Sequence, residues 1–343
     1  MTTLMQQEIF SEPEMIKRTI ASCRPVAAEI AEAFKTKGIT KVVTLARGTS
    51  DNAATVFSFV FPLTAGINVG RFHPSVYTVY DKKVDMSDTC MIIVSQSGMS
   101  KDTVDVFNKA KAAGAMVVAV TDNAQSPVAK GSDYHLFIDV EEEKSVAATK
   151  TYIGELVALL ILAEAFGANI TDGIDSVCGK IVDILGKNDE IAEVAKAIKD
   201  RKSNIILSRG TMLGTGDECA LKLTECCYMF NRSFSTANFM HGPFSLIDED
   251  AHVIMLAPSG VFTKEYTELA RRIVSLGGKL TAFSDIPEVL EVANNKIVMP
   301  KEDDIIAPVT YGVAVSLLAL NVGLAKGLSV DTPRNLNKVT VTL

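Results

Sequence analysis

An α/β fold built from two tandem copies of one domain, each a parallel sheet flanked by helices, follows from three observations. The chain repeats itself at an offset of about 162 residues: Ala46-Arg47-Gly48-Thr49 returns as Ser208-Arg209-Gly210-Thr211, Ser97-Gly98 as Ser259-Gly260, and Gly114 to Asp122 (GAMVVAVTD) as Gly277 to Asp285 (GGKLTAFSD). A period of that length marks whole domains and not the short units of a solenoid. Short apolar β-rich runs alternate with helical segments, which is the pattern of a parallel sheet covered by helices on both faces. Finally, 343 residues of which 48% are hydrophobic and 22% charged describe a well-cored chain with room for two domains.

Each element has its own signal. Leu4 to Ile20 is a helical arm with Pro13 at its middle. Lys41 to Leu45 (KVVTL) is a strand, Arg47 to Ser50 a loop, and a helix follows from Asp51. Cys90 to Val94 is a buried strand, Ser95 to Ser100 the next loop, and Lys101 to Ala113 a helix. Val117 to Val120 and Tyr134 to Val140 are further strands, and a helix from Lys150 to Phe166 closes the first copy. Gly167 to Glu193 connects the copies; the second opens at Asn204 to Leu207 and runs to Gly327. The expected division is an arm at 1–27, a first domain at 28–167, a connector at 168–193, a second domain at 194–328 and a tail at 329–343 ending in a β-like VTVTL. In such folds ligands bind outside the carboxyl ends of the strands, where helix N-termini offer unpaired N–H groups.

Composition excludes several classes. A net charge of −7 argues against a nucleic-acid partner. Six cysteines without a CxxC or a zinc-like spacing read as reduced thiols of a cytoplasmic protein. Glu8, Glu12 and Glu14 among the first apolar residues are unlike a signal peptide. Ile305 to Ala325 has no charge and the length of a membrane span, but Pro308, Thr310, Ser316 and Asn321 within it favour a helix buried between domains and no membrane.

Two loci could carry chemistry. Ser95, Gln96, Ser97 and Ser100 set three hydroxyls beside the backbone N–H groups of a helix start, a cradle for phosphate. The plainer alternative is that Ser97 and Ser100 only turn and cap the helix. Thr49 and Ser50 on the neighbouring loop can add donors or simply cap their own helix. The second copy reads Ala257-Pro258-Ser259-Gly260-Val261-Phe262 at the equivalent place and has lost most of these donors. The other locus is Asp217 to Phe230 (DECALKLTECCYMF), where Glu218, Lys222 and Glu225 share one helical face. Such a trio is usually a solvated ladder, but this segment is mostly apolar, and a carboxylate held there would have the raised pKa of a general base. His241, in the loop Phe239-Met240-His241-Gly242-Pro243, and Lys338, in the tail Pro333-Arg334-Asn335-Leu336-Asn337-Lys338, are unremarkable by themselves.

MQQEIFSEPEMI, RGTS, SQSGMSKDT, SVAATKTYIGEL, ALKLTECCYMF, FMHGPFSLID and DTPRNLNKVTV together resemble sugar isomerase (SIS) domains, and nearly the whole chain is similar to the isomerase half of glucosamine-6-phosphate synthase. The resemblance implies two tandem SIS domains of flavodoxin-like three-layer α/β/α form. It implies that Ser95, Gln96, Ser97 and Ser100 hold phosphate, with Thr49 and Ser50 in the same pocket and Val146 and Ala147 at the sugar. It implies that Glu225 moves the proton between C1 and C2, with Lys222 one turn before it. His241 would open the ring from a neighbouring subunit, and Lys338 would meet the sugar carbonyl. The expected partners are thus a sugar phosphate and a second copy in a homodimer with a shared site, a dimer for which the apolar Ile305 to Ala325 is a further argument. No metal or organic cofactor is called for. The chain departs from the family at Ala148, where Ser is usual, and at Thr224, where Lys is common.

The synthase carries a glutaminase domain for which Met1-Thr2-Thr3-Leu4 leaves no room. The expectation is therefore the reverse reaction, deamination of glucosamine 6-phosphate to fructose 6-phosphate and ammonia. A fructosamine-6-phosphate deglycase, a galactosamine-6-phosphate deaminase and a non-catalytic sugar-phosphate-binding protein are the alternatives.

Overall fold

The computed structural model describes residues 2–338. The first copy builds one five-stranded sheet from β1 (Lys41–Leu45), β2 (Val69–Arg71), β3 (Thr89–Val94), β4 (Met116–Thr121) and β5 (Tyr134–Phe137), ordered β2-β1-β3-β4-β5. All its pairings are parallel. The helices along this part of the chain are α1 (Leu4–Phe10), α2 (Glu12–Lys37), α3 (Thr49–Ala65), α4 (Ser75–Thr78), α5 (Lys101–Ala112), α6 (Pro127–Gly131) and α7 (Lys150–Ala165). After α8 (Thr171–Leu185) and α9 (Asn188–Ile198) the second sheet forms from β6 (Ser203–Ser208), β7 (Phe230–Ser235), β8 (His252–Ala257), β9 (Lys279–Ser284) and β10 (Asn295–Val298). Read from β7 its order is β7-β6-β8-β9-β10, which repeats the first sheet strand for strand. Between these strands run α10 (Leu213–Cys227), α11 (Thr236–Met240), α12 (Thr263–Ser275) and α13 (Pro287–Val292), and α14 (Ala307–Ala325) follows.

Burial explains why the central strands were legible. Every residue of β3, β4 and β8 is buried, as expected of parallel strands covered on both faces. One core gathers Met91, Ile93, Val106, Phe107, Val117 and Val128, the other Leu207, Val253, Met255, Tyr266, Ile273 and Leu280. The edge strands β2 and β10 are three and four residues long and largely polar or exposed, so they carry no apolar run to read.

Several boundaries move, each for a local reason. α3 starts at Thr49 and not at Asp51, because Gly48 (φ 56°) turns the chain and stands at the N-cap. β5 ends at Phe137, since Asp139 and Glu141 both adopt positive φ and take the chain out of the sheet. The connector is two helices, α8 and α9. The arm is broken at Ser11, whose hydroxyl turns back to the Glu8 carbonyl, and Pro13 falls in the first turn of α2, where its missing N–H costs nothing. The expected VTVTL strand lies outside the described residues.

The chain divides into two compact units. The first-sheet unit takes Glu14–Glu143, Lys150–Ile174 and the tail from Leu336; the second-sheet unit takes the residues up to Pro13, Lys144–Thr149 and Asp175–Asn335. Within the second-sheet unit, the Asp331 carboxylate accepts from Leu4 N (3.0 Å) and Met5 N (2.9 Å) at the start of α1, and its carbonyl accepts from Val146 N at 3.0 Å. The arm, the 144–149 segment and the start of the tail are thereby tied together.

Among the described residues one helix, α14, is long and apolar enough to cross a membrane, and 94% of its apolar window is buried. It packs on α10, α9 and α1 of its own unit. A helix covered by its own chain offers no face to a second copy, so the apolar composition of Ile305 to Ala325 is not an argument for a dimer.

A buried polar ladder crosses the second sheet. Asn204 Nδ2 donates to Asn231 Oδ1 (2.6 Å), His252 Nδ1 meets Asn204 Oδ1 (2.6 Å), and His252 Nε2 meets Thr281 Oγ1 (3.0 Å), which also accepts from Asn295 Nδ2 (3.2 Å). Burial, with a smaller contribution from Arg201, pushes the His252 pKa down to about 4. The unfolded chain, with its ordinary value near 6.5, therefore takes up the proton first. The histidine's contribution is fully present above about pH 6.5 and lost as pH falls toward 4, by about 3 kcal/mol in all. Urea unfolding of wild type and His252→Gln at pH 7 and pH 4 checks this: the wild type is expected to lose more stability across the interval than the variant.

Candidate active site

In the first-sheet unit the loop after β3 is pinned from below. Ser95 N donates to Val120 O and Asp122 N to Gln96 O, each at 3.0 Å, so the loop sits on the carboxyl end of β4. Gly98 N donates to Ser95 Oγ and Met99 N to Ser97 Oγ, each at 3.3 Å. Ser97 thus turns the loop. Ser100 stands at the N-cap of α5 without a side-chain cap bond and instead donates to Thr103 Oγ1 (2.8 Å). In the first turn of α5, Thr103 N donates to Asp102 Oδ1 (2.9 Å), while the N–H groups before it have no intrahelical carbonyl to meet and carry the positive end of the helix dipole. Arg47 pairs with Asp102 in the first turn of α5 (3.0 Å), which brings the start of α3, with Thr49 and Ser50, beside the serine loop. Ser50 Oγ donates to Glu155 Oε1 (2.8 Å), while Asp51 pairs with Arg71.

Gly98 has no substitute here. Its φ is 58°, and a Cβ would stand 2.5 Å from Ser126 Oγ and 2.9 Å from Ser126 Cβ. Gly98→Ala is expected to push the loop off β4 and raise the KM for a sugar phosphate by about tenfold or more, equivalent to about 1.4 kcal/mol of lost binding. Steady-state kinetics with the variant checks it.

The second copy shows why its loop cannot serve in the same way. Asp285, at the position equivalent to Asp122, accepts from Ser259 N (2.6 Å) and Ser259 Oγ (2.5 Å). Asp304 Oδ2 accepts from Val261 N at 3.4 Å. In the second copy the chain's own carboxylates thus take up the loop's donors. In the first copy Asp122 accepts instead from Val140 N (2.9 Å), and burial raises its pKa to about 6, with Asp139 and Glu143 adding to the rise against Val140 N–H and Lys150.

In the second-sheet unit α10 brings Glu218, Lys222 and Glu225 together. Lys222 is 1% exposed; its ammonium donates to Glu225 Oε2 and stands 3.5 Å from Glu218 Oε1. Burial works against the ammonium, but the two carboxylates outweigh it and hold the Lys222 pKa well above its ordinary value. With Lys222 and Glu218 buried and Glu225 partly so, the trio is an ion cluster and not a solvated ladder. Glu225 is not wholly withdrawn from water: its side chain is 23% exposed and faces the lysine one turn before it. Ala147 is buried and its carbonyl accepts from Ser145 Oγ (3.3 Å), while Val146 N is held by Asp331. Glu8, within the MQQEIF segment, accepts from Lys144 N and Ser145 N and fixes this turn. His241 is exposed at the end of α11; its ring makes no hydrogen bond among the described residues.

Lys338 belongs to the first-sheet unit, where its ammonium pairs with Glu143 at 2.9 Å. Neither Glu143 nor Asp122 stood out in the sequence. Glu143 is the last of three consecutive glutamates and carries no local signal to set it apart, and Asp122 was visible only as the end of a repeated strand.

The SIS domain pattern matches residues 38–165 and 197–325. The glutamine–fructose-6-phosphate aminotransferase of Thermococcus kodakarensis is 30% identical over 98% of this chain, and that of Zymomonas mobilis 31% over 98%; the chain spans 58% of the length of each. Among solved structures, a Silicibacter pomeroyi protein proposed to be a phosphosugar isomerase is 30% identical with a TM-score of 0.83, covering 95% of this chain and 99% of that one. The C-terminal domain of glucosamine-fructose-6-phosphate aminotransferase from Francisella tularensis has a TM-score of 0.84 at 24% identity, covering 97% and 99%. The chain belongs to the SIS family of phosphosugar isomerases and is related to the isomerase half of the glutamine–fructose-6-phosphate aminotransferases.

Proposed function

We propose that the protein deaminates and isomerises glucosamine 6-phosphate to fructose 6-phosphate and ammonia. The observation that carries this reading is the buried Lys222–Glu225 contact on α10, a carboxylate oriented by a charged lysine and still partly open to an incoming group. A base so placed suits proton transfer between adjacent carbons of a hydroxy- or amino-aldehyde.

The serine loop would take the 6-phosphate, with Ser95, Ser97 and Ser100 hydroxyls and the α5 N-terminus as donors. Thr49 and Ser50 would complete that pocket, and Val146 and Ala147 would offer backbone to the sugar. His241, exposed and with a ring that makes no hydrogen bond among the described residues, suits ring opening from a second copy of the chain in a homodimer. Ring opening leaves an aldehyde at C1, which acidifies the proton on C2. Glu225 removes that proton and the electron pair of the C2–H bond moves toward C1, where the ammonium of Lys338 would face the developing oxyanion. Return of a proton to C1 leaves an imine at C2. Water adds to the imine carbon, the C–N bond breaks, and ammonia leaves with fructose 6-phosphate. The amino sugar carries its own nitrogen, so this direction needs no donor other than water, whereas amination needs a supply of ammonia.

Feeding glucosamine 6-phosphate without glutamine tests the reading. Ammonia and fructose 6-phosphate are expected in equal amounts. Turnover of a phosphorylated fructosamine in place of glucosamine 6-phosphate would favour a deglycase, and binding without turnover of either would contradict an enzyme.

A further inference from the structure

The structure assigns a further positioning residue: we infer that Glu143 is the anchor that holds the tail lysine, Lys338, in place. For activity the inference rests on the reading above; for the tail itself it does not.

Glu143 stands at the end of an irregular segment, residues 138–149, in which Asp139 (φ 48°) and Glu141 (φ 59°) both take left-handed backbone conformations. Two non-glycine residues so close together in that region are costly and persist where the surroundings demand them. The first is held by Arg18, which donates to the Asp139 carbonyl at 3.3 Å and pairs with Glu141 at 3.2 Å. The outcome of this path is the direction of Glu143. Glu141 and Glu142 remain exposed, while the Glu143 side chain has no exposure at all. Its carboxylate accepts from Thr151 Oγ1 (2.9 Å) and Thr151 N (3.4 Å) at the start of α7, and from Lys338 Nζ (2.9 Å).

A carboxylate withdrawn from water demands a cation, and removing that cation leaves an uncompensated buried charge. Residues 329–338 contain no helix or strand, so backbone hydrogen bonding of a regular element does not fix Lys338. The ion pair at 2.9 Å is a contact that holds the ammonium in place. Two hydrogen bonds donated by Thr151 orient the carboxylate in turn, and the arrangement is a fixed counter-charge to which the ammonium of Lys338 is brought. The neighbouring charged groups are Lys150, whose Nζ donates to the Glu142 carbonyl at 3.2 Å, and Asp122 and Asp139, which face the same region.

The test uses the full chain with Glu143→Gln, Glu143→Asp, Lys338→Met and the double variant Glu143→Gln/Lys338→Met. Trypsin cleavage after Lys338, read by mass spectrometry of the intact protein, is expected to be at least tenfold faster in Glu143→Gln than in wild type, with Glu143→Asp in between. Lys338→Met is expected to lower the melting temperature by about 4 °C or more, and the double variant to regain it, because the buried charge has gone with its partner. In turnover, Glu143→Gln should lower kcat with little change in KM, since the phosphate loop is untouched, and Glu143→Asp should recover part of it. Unchanged cleavage after Lys338 in Glu143→Gln, or no recovery of stability in the double variant, overturns the anchor whatever the enzyme's substrate. A failure of all turnover with the cleavage result intact overturns the functional reading and leaves the anchor standing. If Glu143→Gln does not fold, the Lys338→Met and double-variant melting temperatures decide.

Discussion

Glu225→Gln is expected to lower kcat on glucosamine 6-phosphate by about 10²–10⁴-fold, the usual worth of a positioned general base, while leaving KM close to wild type. Glutamine keeps the shape of the side chain and can accept from Lys222, so α10 should remain folded. What it cannot do is take a proton from carbon. Steady-state kinetics with a coupled assay for fructose 6-phosphate gives the comparison. A variant with a near-normal kcat would remove Glu225 from the proton-transfer role.

Lys222→Met is expected to cost about 3–5 kcal/mol of stability, the penalty for removing one partner of a buried ion pair. The lysine is 1% exposed and lies against two carboxylates, and Glu218 is equally buried. Without the ammonium two carboxylates on one face of α10 are left without their shared cation. The same substitution should depress turnover, because Glu225 loses the group that orients it. Urea unfolding near neutral pH reads the stability, and the double variant Lys222→Met/Glu218→Gln is expected to recover part of the loss. A loss below about 1 kcal/mol would place the trio among the solvated ladders whose pairs are worth little.

The sheet centres were legible because burial on both faces leaves continuous apolar runs: β1 was read as Lys41–Leu45, and it occupies those residues. The repeat carried the topology, since the second sheet copies the order of the first. The contact between Lys222 and Glu225 follows from helical spacing, which acts over three residues. Features set by distant residues were not legible. Glu143 looks like its two solvated neighbours until Asp139 and Glu141 turn the backbone and Thr151 and Lys338 close on it. Asp285 looks like an ordinary strand end, yet it fills the loop of the second copy. The tie from Asp331 to Leu4 and Met5 spans more than 300 residues of sequence and leaves no local trace.

The role of Glu225 is tested most directly by following the label of glucosamine 6-phosphate deuterated at C2. Wild type is expected to remove deuterium from C2 as fast as fructose 6-phosphate appears, and Glu225→Gln to leave it in place. Equal rates of deuterium loss in the two proteins would contradict Glu225 as the proton carrier.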